Sequence, residues 1–321
     1  MKKIIVTILC LLQLGLLFAA SAKYESENYN LNIKYNDVIT PGDAIFVRMN
    51  ITIPKNHKKS KTEPERKATL QMLQDKKVIE SAPFYQLKKK TGSTEMLCGI
   101  PVSLWLKEGN YSIKVIYADS DTDVKEFVLP SRLVMRTFPE EVLQLDDRNT
   151  SIKTDNSPER AAQIDKLNNI LFTTMPSDVF SLKKFTTPTE SQRYTAYCGD
   201  RRTYVYTNGK SSTSLHYGND YGVPTGTEVR SCAAGKVVMA ESRISTGWSL
   251  VVEHLPGLYS LYYHMSELSV KEGDSVNQGQ LLGKSGATGL ATGPHLHWEV
   301  RLNGSAVRPE FFLDDFTFEE N

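Results

Sequence analysis

The sequence predicts a mainly β protein in which two folded domains are joined by a short helical connector. The chain has 321 residues, which leaves room for two domains of one to two hundred residues each. Short apolar segments separated by turn residues recur through the first half of the chain. From about residue 185 glycine becomes frequent and the apolar segments are short again, while one clear helical pattern lies between the two regions.

Composition excludes several classes of protein. The chain is 40% hydrophobic and 23% charged, which is typical of a soluble globular protein. Its formal net charge of +1 argues against a nucleic-acid binder, because such proteins usually carry a large basic excess. The sequence contains no heptad run and no internal repeat, so coiled coils and solenoids are excluded.

Residues 1–22 have the pattern of an export signal. Lys2 and Lys3 precede an apolar run that reaches Phe18, and an A-x-A cleavage motif ends at Ala22. A membrane anchor is the alternative, but the apolar run of about 15 residues is shorter than the roughly 20 that span a bilayer. We therefore expect an exported protein with no stable membrane insertion after cleavage.

Residues 23–140 predict a β-sandwich of immunoglobulin-like type. Apolar and polar residues alternate from residue 111 to residue 117, directly after the turn Gly109-Asn110. The charged stretch 55–67 is interpreted as a solvated hairpin loop, with a polyanion site as the alternative. The apolar segments that predict strands are 44–53, 68–73, 111–117 and 125–129.

Residues 141–185 predict the helical connector. Ser157 is a good N-cap and Pro158 suits the first helical position. The following residues form one apolar stripe, which must pack against other apolar residues. We therefore expect the connector to be docked rather than flexible. The stripe consists of Ile164, Leu167, Ile170 and Leu171.

Three cysteines remain after the predicted cleavage, which removes Cys10: Cys98, Cys198 and Cys232. Export permits a disulfide, but an odd number leaves at least one thiol unpaired or shared between chains. The spacing identifies no pair and does not suit a cysteine-based zinc site. We expect these cysteines to have structural roles.

The histidines indicate where a functional site lies, because five of the six fall between residues 216 and 297. One of these histidines and a nearby arginine pair are not assigned to the site. His254 ends an apolar strand and is interpreted as structural. Arg201 and Arg202 are interpreted as a surface charge pair.

The segment 295–300 predicts a β-strand with one apolar face, because apolar and polar residues alternate along it. Its other face carries His295, His297 and Glu299. A metal ion with a catalytic base would satisfy these three ionisable side chains. A solvent-facing strand is the alternative.

His216 and Asp220 are the second candidate pair. Positions four apart in a straight strand are separated by about 13 Å, too far for two ligands of one ion. Gly218, Gly222 and Pro224 oppose a helix, which would bring the pair together. We therefore predict a bend or bulge at Gly218. With one histidine of the 295–297 pair, these residues form a three-ligand set that leaves one zinc position open, as catalytic sites require.

Short motifs follow one another from Pro188 to Leu313. They are His216-x-Gly218-x-Asp220, Gly226-Thr227-x-Val229, Gly235-x-Val237, Tyr262-Tyr263-His264, Gly273-Asp274-x-Val276-x-x-Gly279-Gln280, Thr288-Gly289 and Thr292-Gly293-Pro294-His295-Leu296-His297-Trp298-Glu299. In this order they resemble the lysostaphin-type (LytM-like) zinc endopeptidases of bacterial cell walls. The resemblance covers about two-fifths of the chain.

The resemblance implies a lysostaphin-type antiparallel β-domain at 186–313, followed by a tail at 314–321. It also implies that His216, Asp220 and His297 bind one zinc ion. The departures are that no known wall-anchoring module is present and that the family often has asparagine where this chain has Ser249. They concern targeting and substrate choice and leave the metal ligands unchanged.

The catalytic roles implied by the resemblance fall on histidines, because the sequence has no H-E-x-x-H motif to supply a glutamate base. Imidazole suits proton transfer near neutral pH. We expect His295 to act as the base and His264 to donate to the oxyanion or the leaving amine, although the two roles could be exchanged. Glu299 is expected to orient a histidine, with a strand salt bridge as the alternative.

The resemblance implies an exported enzyme of the periplasm or cell envelope, or a secreted one, that cuts stem or bridge peptides of peptidoglycan. The β-sandwich would then bind an envelope protein partner or the wall. Two alternatives remain open. One is a catalytically silent module that binds or activates other wall hydrolases, and the other is a zinc protease acting on non-wall proteins.

Overall fold

The computed structural model describes residues 20–54, 66–173, 179–316 and 318. Residues 1–19 of the predicted export signal, and most of the charged stretch 55–67, lie outside this set. The described chain is mainly β, as predicted, and it divides into two compact units, Met1–Met135 and Arg136–Asn321. Among the described helices, none combines the length and apolar character that a membrane crossing requires.

The described residues of the first unit form eleven strands. They are β1 (Ala20–Glu25), β2 (Asn30–Tyr35), β3 (Val38–Ile39), β4 (Ala44–Thr52), β5 (Lys67–Gln74), β6 (Lys77–Pro83), β7 (Tyr85–Lys90), β8 (Ser93–Pro101), β9 (Tyr111–Ser120), β10 (Asp123–Leu129) and β11 (Arg132–Leu133). One antiparallel sheet has the order β1-β2-β4-β8-β7, a second has the order β10-β9-β5-β6, and β3 pairs in parallel with β11. The four segments that the sequence predicted as strands correspond to β4, β5, β9 and β10.

The two antiparallel sheets of this unit share an apolar core. Val47 and Met49 belong to the first sheet, Leu70 and Val115 belong to the second, and all four are fully buried. The unit is therefore a β-sandwich; its immunoglobulin-like type stays a prediction. β1 includes the buried Ala22, so the predicted cleavage site lies within a paired strand, and cleavage also stays a prediction.

In the part of the second unit that the structure describes there are thirteen strands and two α-helices. Its elements are β12 (Glu140–Gln144), α1 (Asp147–Thr154), α2 (Pro158–Leu171), β13 (Tyr194–Ala196), β14 (Arg201–Val205), β15 (Ser211–Leu215), β16 (Gly218–Tyr221), β17 (Glu228–Arg230), β18 (Gly235–Arg243), β19 (Gly247–Leu255), β20 (Leu258–Leu268), β21 (Ser275–Val276), β22 (Leu281–Ser285), β23 (Leu296–Leu302), β24 (Ser305–Val307) and a π-helical turn at Phe311–Asp315. β12 pairs in parallel with β14, which is antiparallel to β15.

Helix α2 begins as the sequence predicted. The side chain of Ser157 accepts a hydrogen bond from the backbone N–H of Arg160 at 3.2 Å, and Pro158 is the first helical residue. Three members of the predicted stripe, at positions 167, 170 and 171, pack against a core of the second unit. Ile164 is 43% exposed, so its assignment to the buried stripe was wrong. Helix α1, which the sequence did not predict, precedes α2 and is capped by Asp146.

The largest sheet of this unit has the main order β13-β16-β23-β20-β19-β18-β21, which places β23 between β16 and β20. The apolar face of β23 is buried as predicted, with Trp298 at 0% exposure. On the register of the ladders, His297 lies opposite Asp220 on β16 and opposite Tyr263 on β20. The sheet thus brings residues distant in sequence onto neighbouring strands.

Candidate active site

His216 lies where the chain leaves one sheet and enters another. β15 ends at Leu215 in the three-stranded sheet, and β16 begins at Gly218 in the large sheet. The expected bend is therefore present, but it falls at residues 216 and 217 rather than at Gly218. It brings His216 Nε2 to 3.1 Å from Asp220 Oδ1, although four positions along a straight strand would span about 13 Å.

Gly218 does not form the predicted bend but lets two neighbouring strands approach each other closely. It pairs with Glu299 in the ladder between β16 and β23, and a Cβ at this position would lie 2.4 Å from the carbonyl oxygen of Trp298. Only glycine permits the two backbones to approach this closely. The close approach holds the strand of Asp220 against the strand of His297.

Three potential ligand atoms converge at this point: His216 Nε2, Asp220 Oδ1 and His297 Nδ1. His297 Nδ1 lies 2.8 Å from Asp220 Oδ1 and 2.9 Å from His216 Nε2. All three residues are buried. Ligands of a tetrahedral zinc ion are about 3.3 Å apart at ordinary zinc–nitrogen distances, so the triangle would need to open by only a few tenths of an ångström.

The hydrogen bonds of the two imidazoles suit metal binding. His216 Nδ1 donates to the carbonyl oxygen of Tyr197 at 3.0 Å, and His297 Nε2 donates to Glu299 Oε1 at 2.9 Å. Each ring therefore has an acceptor for the N–H that faces away from the triangle, which leaves the other nitrogen to bind a cation. With one carboxylate and two imidazoles, the donor set fits a divalent metal such as zinc.

The carboxylates determine the charge of the metal-free site. Burial opposes ionisation of Asp220, but contacts with His216 and His297 outweigh it and hold the pKa of Asp220 well below its usual value. Burial likewise opposes a charge on His297, yet hydrogen bonds to Asp220 and Glu299 raise the pKa of His297 to about 9. For His216 burial is dominant and lowers the pKa. Without a metal ion, His297 is thus expected to be a charged imidazolium, protonated on both ring nitrogens, at neutral pH.

Glu299 has both of the contacts that the sequence left as alternatives. Its Oε1 accepts from His297, and its Oε2 accepts from Arg301 Nε at 2.7 Å. Burial opposes ionisation of Glu299, but Arg301 and His297 lower its pKa to about 2. The carboxylate is therefore charged and is placed to orient His297.

Arg202 contacts Asp220, one of the three candidate metal ligands. The sequence did not reveal this contact. Its Nη2 donates to Asp220 Oδ2 at 3.0 Å, and its Nε donates to Glu141 Oε2 at 3.2 Å. The Arg202 side chain is only 12% exposed, so its interpretation as part of a surface charge pair was wrong. The signal was not local, because Glu141 reaches Arg202 only through the parallel pairing of β12 with β14.

His264 and His295 lie next to each other beside the triangle, with ring centroids 4.7 Å apart. Nδ1 of His264 donates to the carbonyl oxygen of Thr288 at 2.7 Å, and Nδ1 of His295 donates to that of Gly293 at 2.8 Å. His295 Nε2 lies 3.7 Å from Asp220 Oδ1. Burial, together with His295 and His297, lowers the pKa of His264 to about 3. The five predicted site residues are thus brought together.

The backbone at His264 departs from the regular alternation of a β-strand. The register between β19 and β20 shifts between the pairs Trp248–Met265 and Leu250–Tyr262, and His264 has a φ of +61°. Tyr263 and His264 consequently both line the groove, whereas regular alternation would place them on opposite faces. The Tyr263 ring stacks on His297 with an interplanar angle of 6°.

These residues line an open groove of about 480 Å³. One wall includes residues of the connector, namely Glu141, Leu143, Leu145 and Lys153, and another includes Leu290, Thr292 and Pro294. The cation-binding triangle thus faces an open groove rather than an enclosed cavity.

His254 lies outside the groove, in a buried cluster. Its Nε2 is 2.7 Å from Ser260 Oγ and 3.6 Å from Cys232 Sγ. Burial lowers the pKa of His254 to about 4 and raises that of Cys232 to about 12, so both are neutral. This supports a structural role for His254. The thiols of Cys98, Cys198 and Cys232 are free and buried.

Comparison with known proteins gives a consistent result. Residues 214–309 match the model of peptidase family M23. The chain is 40% identical over 92 residues to the peptidoglycan DD-endopeptidase ShyA of Vibrio cholerae, a match that covers 29% of this chain and 21% of that protein. It is 31% identical over 176 residues to stage II sporulation protein Q of Bacillus subtilis, covering 53% of this chain and 60% of that one.

A solved structure shows the same fold over a longer span. A Pseudomonas aeruginosa protein assigned to peptidase M23 superposes with a TM-score of 0.55 at 22% identity. The alignment covers 87% of this chain and 96% of that chain. At this identity the likeness concerns the fold alone. The chain spans about a fifth of ShyA and three-fifths of the sporulation protein.

Proposed function

Because the chain carries a lysostaphin-type peptidase M23 domain, we propose that it is a zinc-dependent endopeptidase that hydrolyses peptide cross-links of bacterial peptidoglycan. The observation that carries the proposal is the convergence of His216, Asp220 and His297 on one point, with two further histidines beside it. A catalytically silent domain would have no need of all five side chains in this arrangement.

The residues would divide the chemistry as follows. A zinc ion held by His216, Asp220 and His297 would supply a Lewis acid that polarises the scissile carbonyl and lowers the pKa of water. His295, whose Nδ1 is held by the carbonyl oxygen of Gly293, turns Nε2 toward Asp220 and would act as the base that takes a proton from water. That proton would pass to the leaving amine, directly or through His264, whose low pKa makes its protonated form a strong donor to the oxyanion or the amine.

The ligands would be held in position by their own partners. Glu299 fixes the ring of His297, and Arg202 holds Oδ2 of Asp220 so that Oδ1 faces the other two donors. Such partners orient metal ligands and increase their basicity. Oδ1 would then be the oxygen of Asp220 available to the cation.

The likeness to stage II sporulation protein Q supports a second candidate, a catalytically silent module that binds or activates other wall hydrolases. That match runs over 176 residues, longer than the peptidase domain itself. For either candidate we propose export to the periplasm or cell envelope, with the β-sandwich of the first unit as the surface for an envelope partner.

Digestion of purified sacculi by the full chain tests the proposal. We expect new amino termini, identified by mass spectrometry, which chelation and His297→Ala both abolish. Glu228→Gln, a change of an exposed residue outside the groove, is the matched control and should digest like wild type. Digestion that persists in chelator and in His297→Ala would overturn the metal mechanism. Intact sacculi would favour the silent module, or a protease of other proteins if unfolded protein substrates are cleaved.

A further inference from the structure

The connector contributes a cation to the groove that the proposed chemistry does not use. Lys153 lies in the last turn of α1 and lines the same groove as His216 and Asp220. Its Nζ lies 4.2 Å from the centroid of the Tyr204 ring. Across the ranges that the structure describes, no carboxylate lies within ion-pair distance of Lys153 Nζ.

Positive charge is concentrated around Lys153. Arg160 Nε donates to Ser245 Oγ at 3.1 Å, and its Nη1 donates to backbone carbonyl oxygens, so its hydrogen bonds go to neutral groups. Arg202 is compensated by Asp220 and Glu141. Burial, Arg160 and Arg202 together lower the pKa of Lys153. A half-buried ammonium beside other cations is unfavourable unless an anion compensates it.

The groove offers an anion a place beside this ammonium. Lys153, Arg202 and the cation-binding triangle face the same 480 Å³ space. Because Lys153 and the triangle line one groove, an acidic group on a peptide bound there would face an ammonium that has no carboxylate partner among the described residues. The Tyr204 ring gives the Lys153 ammonium a cation–π contact, but a neutral ring supplies no counter-charge.

We propose that Lys153 binds a free carboxylate of the substrate peptide and thereby selects acidic cross-linked peptides over their amidated forms. The inference rests on the proposed function for its substrate class and adds a specificity-determining residue to it. Stem peptides offer carboxylates of two kinds, on a diamino-acid side chain and at the chain terminus. Both have the same chemistry, and the test separates them.

The test measures binding of synthetic stem peptides to the full chain kept in chelator, so that no cleavage is needed. The peptides carry both carboxylates, either one alone, or none, with amides replacing the missing ones. A charge-assisted hydrogen bond predicts about 10- to 100-fold tighter binding of the acid form by wild type. Lys153→Met keeps the stem over Tyr204, removes the charge and should abolish this preference. If amidation of one of the two carboxylates abolishes the tighter binding, that carboxylate is the one that Lys153 binds.

The control is Lys166→Met, a lysine of α2 that pairs with Glu241 and lies outside the groove. It should bind all peptides like wild type. Equal binding of acid and amide peptides by wild type, or a preference that survives in Lys153→Met, would overturn the inference. Both results are independent of hydrolysis. Failure of wild type to digest sacculi would instead refute the proposed function, whatever the peptide binding shows.

Discussion

Replacing Gly218 by alanine should separate the strands that hold the metal ligands. The new Cβ would lie 2.4 Å from the carbonyl oxygen of Trp298 and 2.8 Å from Cγ of Glu299, whereas ordinary contacts begin at 3.4 Å. The first obstacle is backbone and cannot rotate away, so β16 must retreat from β23 by about 1 Å. Asp220 lies two residues further along β16, opposite His297, and is expected to move with it.

The expected losses follow from that displacement. Metal sites tolerate ligand shifts of about 0.2 Å, so a shift several times larger should weaken zinc binding by about 10- to 100-fold. Misplacement of about 1 Å at a reacting centre costs about 100-fold in rate. The strain itself should cost about 1–3 kcal/mol of unfolding free energy, less than the 5–15 kcal/mol typical of a folded domain. The variant should therefore fold but bind zinc poorly.

Three measurements on the full chain check this prediction: zinc affinity by competition with a chromophoric chelator, peptide hydrolysis, and thermal unfolding. The control is Gly109→Ala, because a Cβ there comes no closer than 3.3 Å, to the ring of Tyr111, at an exposed turn of the other unit. It should match wild type in all three. A Gly218→Ala protein whose zinc affinity stays within twofold of wild type would refute the argument that this close approach positions the ligands.

Three further predictions concern stabilisation by zinc, proton release on zinc binding, and the reactivity of the cysteines. Zinc at 100 times its dissociation constant should stabilise the chain by about 2.7 kcal/mol, seen as a rise in melting temperature that chelator reverses; an unchanged melting temperature would contradict a native metal site. Because the pKa of His297 is raised to about 9, zinc should displace about one proton at pH 7, and its apparent affinity should rise about tenfold per pH unit until pH 9. Calorimetry in buffers of different ionisation enthalpy measures this proton release. Zinc binding without proton release would contradict a protonated His297. Finally, Cys98, Cys198 and Cys232 should resist thiol reagents in the folded protein, since all three are buried and burial raises their pKa; rapid labelling under native conditions would contradict this.

The parts of the structure that the sequence predicted correctly depend on local pattern. The alternation along 295–300 indicated which side chains of β23 face the groove, and a cap with a proline located the start of α2. Two-residue periodicity and capping act within a few residues, so a single sequence reveals them.

The parts that it missed depend on contacts between distant segments. Arg202 reaches Asp220 from a different strand, and Lys153 lines the groove from the connector, so neither contact is visible in the local sequence. The irregular backbone at His264 has no local signal either, since strand alternation would have continued through it. The buried stripe of α2 was overextended to Ile164 because helical spacing alone does not show where the opposing surface ends.

The backbone at His264 has a consequence for attempts to make this protein more robust. A left-handed conformation costs a side-chain-bearing residue about 1–2 kcal/mol, a penalty that glycine escapes. Glycine would relieve that strain, but it would also remove a buried imidazole and leave the carbonyl oxygen of Thr288 without its donor, changes that typically cost at least as much. Stabilising changes should therefore be sought away from residue 264, so that the strained backbone and the imidazole beside His295 are retained together.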